Sequence, residues 1–230
     1  MSMALVLPLL MILAAHRAEG PWGVAYAPVD HASPRPAIVF LHGMWASPED
    51  SCAPFELGAT AFGFLLCPRG NAPLGTGRMW AGTAANAESP IRRAMAAAES
   101  LLPGRLDATA DGTIIGYSNG AYFAAEVACA EPGRWTGLVL ISMKLEIDPA
   151  RLRSAGIRRV VLASGDHDGA RTSMQRLADR LARHGVDATF KSLGPGGHEF
   201  PPDMDARMCE AIAWVRGAND DACVRGTTGP

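Results

Sequence analysis

Short, uninterrupted apolar runs alternate along this chain with stretches of helical period, and that alternation constrains the fold more than any other feature. Ala-Ile-Val-Phe-Leu at 37–41 and Val-Val-Leu-Ala at 160–163 contain no polar position. A strand with one wet face alternates, whereas a strand apolar at every position is buried on both faces, as central parallel strands are. The runs at 23–27, 37–41, 64–67, 112–117, 137–142, 159–164 and 188–193 read as strands, and 86–102, 119–130, 170–184 and 203–216 as helices. In the last helix Met204, Met208, Ile212 and Val215 recur at spacings of four, four and three, one apolar stripe for packing on a sheet. Pro132 and Gly133 end the helix begun at 119, and Gly185 ends the next. The expected architecture is α/β: a mostly parallel central sheet with helices on both faces.

With 230 residues, 48% of them apolar, the chain suits one domain with a sizeable core. Its formal net charge is −2 and like charges form no long run, which argues against nucleic acid or an anionic membrane as partner. No cluster of histidines and cysteines has metal-ligand spacing, so neither a metal nor another cofactor is expected.

Met3 to Ala15 is nearly continuous apolar sequence, followed by the small residues Ala18 and Gly20, so residues 1–20 read as an export signal and 21–230 as the mature domain. The usual lysine or arginine before the apolar stretch is missing; the competing reading is an apolar N-terminal helix or strand packed on the domain. The apolar stretch is too short to span a bilayer as a mature helix, so no stable membrane insertion is expected. Five cysteines suit an oxidising, secreted or periplasmic compartment, and one of them must stay unpaired. Cys52 with Cys67 would pin a loop, Cys209 with Cys223 would tie the C-terminal tail to the last helix, and Cys129 reads as a buried free thiol. Spacing alone leaves the connectivity open.

Four segments carry chemistry. Gly116-Tyr117-Ser118-Asn119-Gly120 runs from a strand directly into a helix, the context of a G-x-S-x-G nucleophile elbow, in which the glycines leave room for a sharp turn that exposes the serine. Its bland reading is a glycine turn with Ser118 capping a helix. Leu41-His42-Gly43-Met44-Trp45 follows the most hydrophobic strand. An oxyanion needs two backbone N–H groups aimed at it, and Met44 and Asn119 are the candidates. His42 reads as a structural histidine bonded to loop backbone. Ser164-Gly165-Asp166-His167-Asp168 ends a strand where open α/β sheets place their ligands. Asp168 is favoured over Asp166 because it lies farther along the loop, and Asp148 is a third choice whose plain role is helix capping. Gly194-Pro195-Gly196-Gly197-His198 forms a loop before the last helix, and among the six histidines His198 has the address of a general base. Trp45, Trp80, Tyr122 and Phe200 are candidates for an apolar substrate pocket, with core packing as the alternative. Trp80 lies on a Pro- and Gly-containing loop at 70–82.

In this order, and from about Ala37 to Val215, the four segments resemble the α/β-hydrolase superfamily. The 142–159 connection is too short for an inserted lid, and the likeness is greatest to small lidless carboxylesterases, thioesterases and dienelactone hydrolases. The resemblance implies a Ser118–Asp168–His198 triad cleaving a small acyl ester or thioester. Cysteine-type dienelactone hydrolases differ in carrying a thiol at the elbow. A serine peptidase of the same fold and a catalytically silent binding protein are the rival readings.

Overall fold

The computed structural model describes residues 17–28, 30–218 and 223. In chain order it begins with strands β1 (Arg17–Gly20), β2 (Gly23–Tyr26) and β3 (Arg35–Leu41), then helices α1 (Pro48–Cys52) and α2 (Glu56–Thr60). Strand β4 (Phe64–Pro68), a small hairpin of β5 (Ala72–Leu74) and β6 (Gly77–Met79), and helix α3 (Ala84–Leu101) follow. Next come β7 (Leu106–Asp107), β8 (Gly112–Tyr117), α4 (Asn119–Ala130), β9 (Trp135–Ile141) and α5 (Pro149–Ala155). The described chain closes with β10 (Arg159–Ser164), α6 (Arg171–Arg183), β11 (Asp187–Ser192) and α7 (Met204–Arg216).

The main sheet has the order β1-β2-β4-β3-β8-β9-β10-β11, with β7 pairing beside the start of β3. From β4 to β11 the pairs are parallel, while β1 with β2 and β2 with β4 are antiparallel. The apolar runs have their cause here. In β3, Val39 and Leu41 join one core with α3, α4 and α6, and Ile38 and Phe40 join the other core with α1, α2 and α7. Burying alternate residues on opposite faces leaves no solvent-facing position for a polar side chain. The stripe of Met204, Met208, Ile212 and Val215 is buried in the second core. At the sheet's edge, β11 carries Asp187 and Lys191 and is only partly buried, as an edge strand must be to avoid pairing with other chains.

Two disulfides close, Cys52–Cys67 and Cys209–Cys223, with Cα–Cα separations of 6.2 and 5.6 Å. Cys129 is free and half-buried. Residues 70–82 are not one loop, since they hold the β5–β6 hairpin, and the 142–159 connection holds the short helix α5. Asp148 caps α5, its carboxylate accepting from the Ala150 N–H at 2.9 Å beside Pro149. The expected export signal begins outside the described residues, and its last four residues form β1, paired along its length with β2. No helix among the described residues is long and apolar enough to cross a membrane.

Candidate active site

The elbow is built by strand β8 ending where α4 begins. Ser118 turns the chain at φ 52° and ψ −123°, a left-handed conformation that a non-glycine residue holds only when its surroundings enforce it. The enforcing contacts are close. A Cβ at position 120 would overlap the Leu41 carbonyl at the end of β3, and one at 116 would overlap the Gly120 carbonyl in the helix. Only glycine lets strand, turn and helix approach this tightly. The Ser118 N–H donates to the Ile141 carbonyl at 2.8 Å, which fastens the turn to β9.

Three side chains far apart in sequence meet at the carboxyl edge of the sheet. Ser118 Oγ lies 3.0 Å from His198 Nε2, and His198 Nδ1 lies 3.0 Å from Asp168 Oδ2. A carboxylate only accepts, so Nδ1 carries the proton and donates to Asp168; Nε2 is left as the acceptor for the serine hydroxyl. The Asp168 side chain is buried, 3% exposed, whereas the imidazole of His198 is 51% exposed. Burial pushes the Asp168 carboxyl up, but the Ala170 N–H, the Ser142 hydroxyl and His198 outweigh it and hold the group below the usual carboxylate range. The Ala170 contact is a hydrogen bond of 2.7 Å; the Ser142 hydroxyl acts from outside hydrogen-bonding geometry. Asp166 is engaged elsewhere, with Arg171 and with the Ser192 hydroxyl at 2.5 Å.

The loop after β3 passes directly over the elbow, since a Cβ at Gly43 would stand 3.4 Å from Ser118 Cβ. Met44 is the next residue of that loop and is exposed. Asn119 is the first residue of α4, where helix N–H groups lack partners within the helix and favour negative charge. His42 is fully buried beneath this loop. The Gly70 N–H donates to its Nε2 at 3.0 Å, so Nδ1 holds the proton and donates to the Gly43 carbonyl at 2.7 Å. Burial lowers the His42 pKa, which keeps the ring neutral and its two bonds intact.

No protein-family model and no curated protein sequence matches the chain. Solved structures do. The chain is similar to FphF, a fluorophosphonate-binding serine hydrolase of Staphylococcus aureus, with 17% identity and a TM-score of 0.62, covering 86% of this chain and 96% of that one. It is similar to a carboxylesterase of Bacillus cereus with 18% identity and a TM-score of 0.60, covering 85% and 93%. An S-formylglutathione hydrolase of Agrobacterium tumefaciens matches with 14% identity and a TM-score of 0.59, covering 87% and 93%. The chain has the α/β-hydrolase fold.

On this fold the aromatic candidates separate. Trp80 is fully buried and serves as support rather than as a substrate contact. Its indole N–H donates to the His42 carbonyl at 3.0 Å, and its backbone N–H donates to Asn119 Oδ1 at 2.8 Å, linking the hairpin to the elbow. Trp45 is 66% exposed and sits at φ 57°. The β5–β6 hairpin holds it there, through an Arg78 N–H bond to the Ala46 carbonyl at 3.1 Å. Tyr122 is exposed one helical turn beyond Ser118. Phe200 is half-buried against Tyr117 and Phe55, with ring centroids 4.5 and 5.5 Å away. Two residues of the site carried no signal beforehand. Ser142 is an unremarkable strand end in sequence, yet it is buried at φ 55° facing Asp168. Tyr117 stands at a variable position of the elbow motif, yet its hydroxyl donates to the His198 carbonyl at 2.6 Å.

Proposed function

We propose that this protein is an exported serine hydrolase that cleaves a small carboxylic ester or thioester through an acyl-enzyme on Ser118. His198 Nε2 takes the serine proton as Oγ attacks the acyl carbonyl, and the negative charge that develops on the carbonyl oxygen is received by the N–H groups of Met44 and Asn119. The imidazolium returns its proton to the leaving alcohol or thiol. Water, deprotonated by the same imidazole, then attacks the acyl carbon, and the imidazolium gives that proton to Ser118 Oγ as the acid leaves. Asp168 fixes the tautomer of His198 and stabilises its charged form without taking the proton.

The observation that carries this reading is the unbroken hydrogen-bond line from Ser118 through His198 to a buried, ionised Asp168. The likeness in fold to a serine hydrolase and a carboxylesterase lends it support. The two disulfides support the export reading, with residues 1–20 as the signal and 21–230 as the mature domain. The substrate side of the site is lined by Trp45 and Tyr122. With 4-nitrophenyl acetate, Ser118→Ala is expected to lower kcat by about a millionfold, the scale on which dismantled serine triads fall. Turnover by Ser118→Ala within tenfold of the parent protein would refute the mechanism.

A further inference from the structure

The residue before Ser118 makes a contact that the proton relay itself does not use. Tyr117 ends β8; its hydroxyl donates to the backbone carbonyl of His198 at 2.6 Å, and its ring centroid lies 5.2 Å from the imidazole. Burial, then the negative charges of Asp168 and Glu199, push the phenol up to about 12. It therefore remains a donor throughout the neutral range.

The loop on which it acts has little stiffness of its own, because three of the four residues before His198 are glycines. One side of that loop is tied to the acid loop. The Asp166 N–H donates to the Gly194 carbonyl at 2.7 Å and the His167 N–H to the Gly196 carbonyl at 3.0 Å. Gly165 permits the approach, since a Cβ there would overlap the Gly196 carbonyl. These backbone ties stop short of His198, which the acid loop holds only by its ring, through Asp168. The Gly197 N–H bonds only within the loop, to Glu199 Oε1 at 2.7 Å. Tyr117 is what reaches the His198 backbone itself.

We propose that Tyr117 is a positioning residue whose hydroxyl clamps His198 to the strand that carries Ser118, so that nucleophile and base are located by two consecutive residues. The clamp closes a ring: Ser118 Oγ to the imidazole, His198 carbonyl to the Tyr117 hydroxyl, and one peptide bond back to Ser118. Without it the imidazole can drift relative to Oγ, and a displacement of about 1 Å at a reacting pair costs on the order of a hundredfold in rate. This inference rests on the hydrolase reading above.

The test compares the parent chain, Tyr117→Phe, Tyr117→Leu and Ser118→Ala with 4-nitrophenyl acetate and with a fluorophosphonate probe. Tyr117→Phe keeps the ring and loses only the donor. Its kcat is expected to fall about tenfold to a hundredfold with KM within twofold of the parent, and labelling should slow in step while still reaching the parent's stoichiometry. Tyr117→Leu should be no less impaired than Tyr117→Phe. A kcat for Tyr117→Phe within twofold of the parent overturns the clamp, as does a labelling stoichiometry that falls in proportion to kcat, which would report lost fold instead. If Ser118→Ala is inactive and Tyr117→Phe is normal, only the clamp fails; if Ser118→Ala stays active, the hydrolase reading fails and takes the clamp with it.

Discussion

His42 shows how one buried side chain supports a site it does not serve chemically. Its neutral ring bridges the Gly43 and Gly70 backbones, and the Trp80 indole bonds to its own carbonyl. In the unfolded chain this histidine protonates near its ordinary pKa of about 6.5, whereas burial holds it neutral to lower pH in the fold. The unfolded state then binds the extra proton first, so stability falls as pH drops below about 6.5, until the folded ring also titrates. Asp168 acts in a separate window: its depressed pKa contributes stability above about pH 4, lost as pH falls further. The thermal midpoint of the parent should therefore decline from pH 7.5 to 5, and His42→Gln should start lower and decline less. Parallel declines would mean that His42 plays no part in the slope. At this scale the meeting of Ser118, Asp168 and His198 and the backbone bonds of His42 were legible, because strand ends and loop addresses limit which side chains can meet. The roles of Trp80, Tyr117 and Ser142 were not. Whether a tryptophan on a glycine-rich segment turns inward depends on tertiary contacts, and a hydroxyl's partner 81 residues away leaves no local pattern.

Three elements fall at the expected residues without any shift. Strands β8 and β10 and helix α4 occupy the expected residues, because burial on both faces or a long amphipathic face leaves a signal that few alternatives share. The β5–β6 hairpin read as a loop because its strands have three residues each and include Pro73 and Gly77. Strand β1 was absorbed into the reading of the N-terminus, and α5 is a seven-residue helix with only Leu152 and Ala155 buried. The Cys52–Cys67 disulfide joins α1 to β4 across 15 residues. Closing a loop of that length in the unfolded chain contributes about 3 kcal/mol. For a chain of this size that corresponds to roughly 6–12 °C in Tm. The Cys52→Ala/Cys67→Ala variant should melt lower by about that amount in calorimetry. An unchanged Tm would show that this bridge does not constrain the unfolded chain.

For the molecule as a whole, the decisive fact is that Ser118, Asp168 and His198 meet at one edge of one sheet. The strands β3, β8 and β10 deliver the Met44 loop, Ser118 and Asp168 from their carboxyl ends, as the topology of open α/β sheets requires. At the opposite edge a cavity of about 400 Å³ is lined by Asp111, Arg158, Arg159, Asp187 and Arg216. There Arg158 and Arg159 pair with Asp111 and Asp187, an arrangement that anchors strand beginnings. The half-exposed imidazole of His198 and the exposed Trp45 leave this edge open to solvent. The central claim is that Ser118 Oγ becomes the covalent nucleophile. Incubation with a fluorophosphonate, followed by intact-mass measurement and peptide mapping, tests it directly. The account predicts one adduct per chain, located on Ser118 and absent from His198→Ala within the same incubation; an adduct on another residue, or none on a folded parent protein, would contradict it.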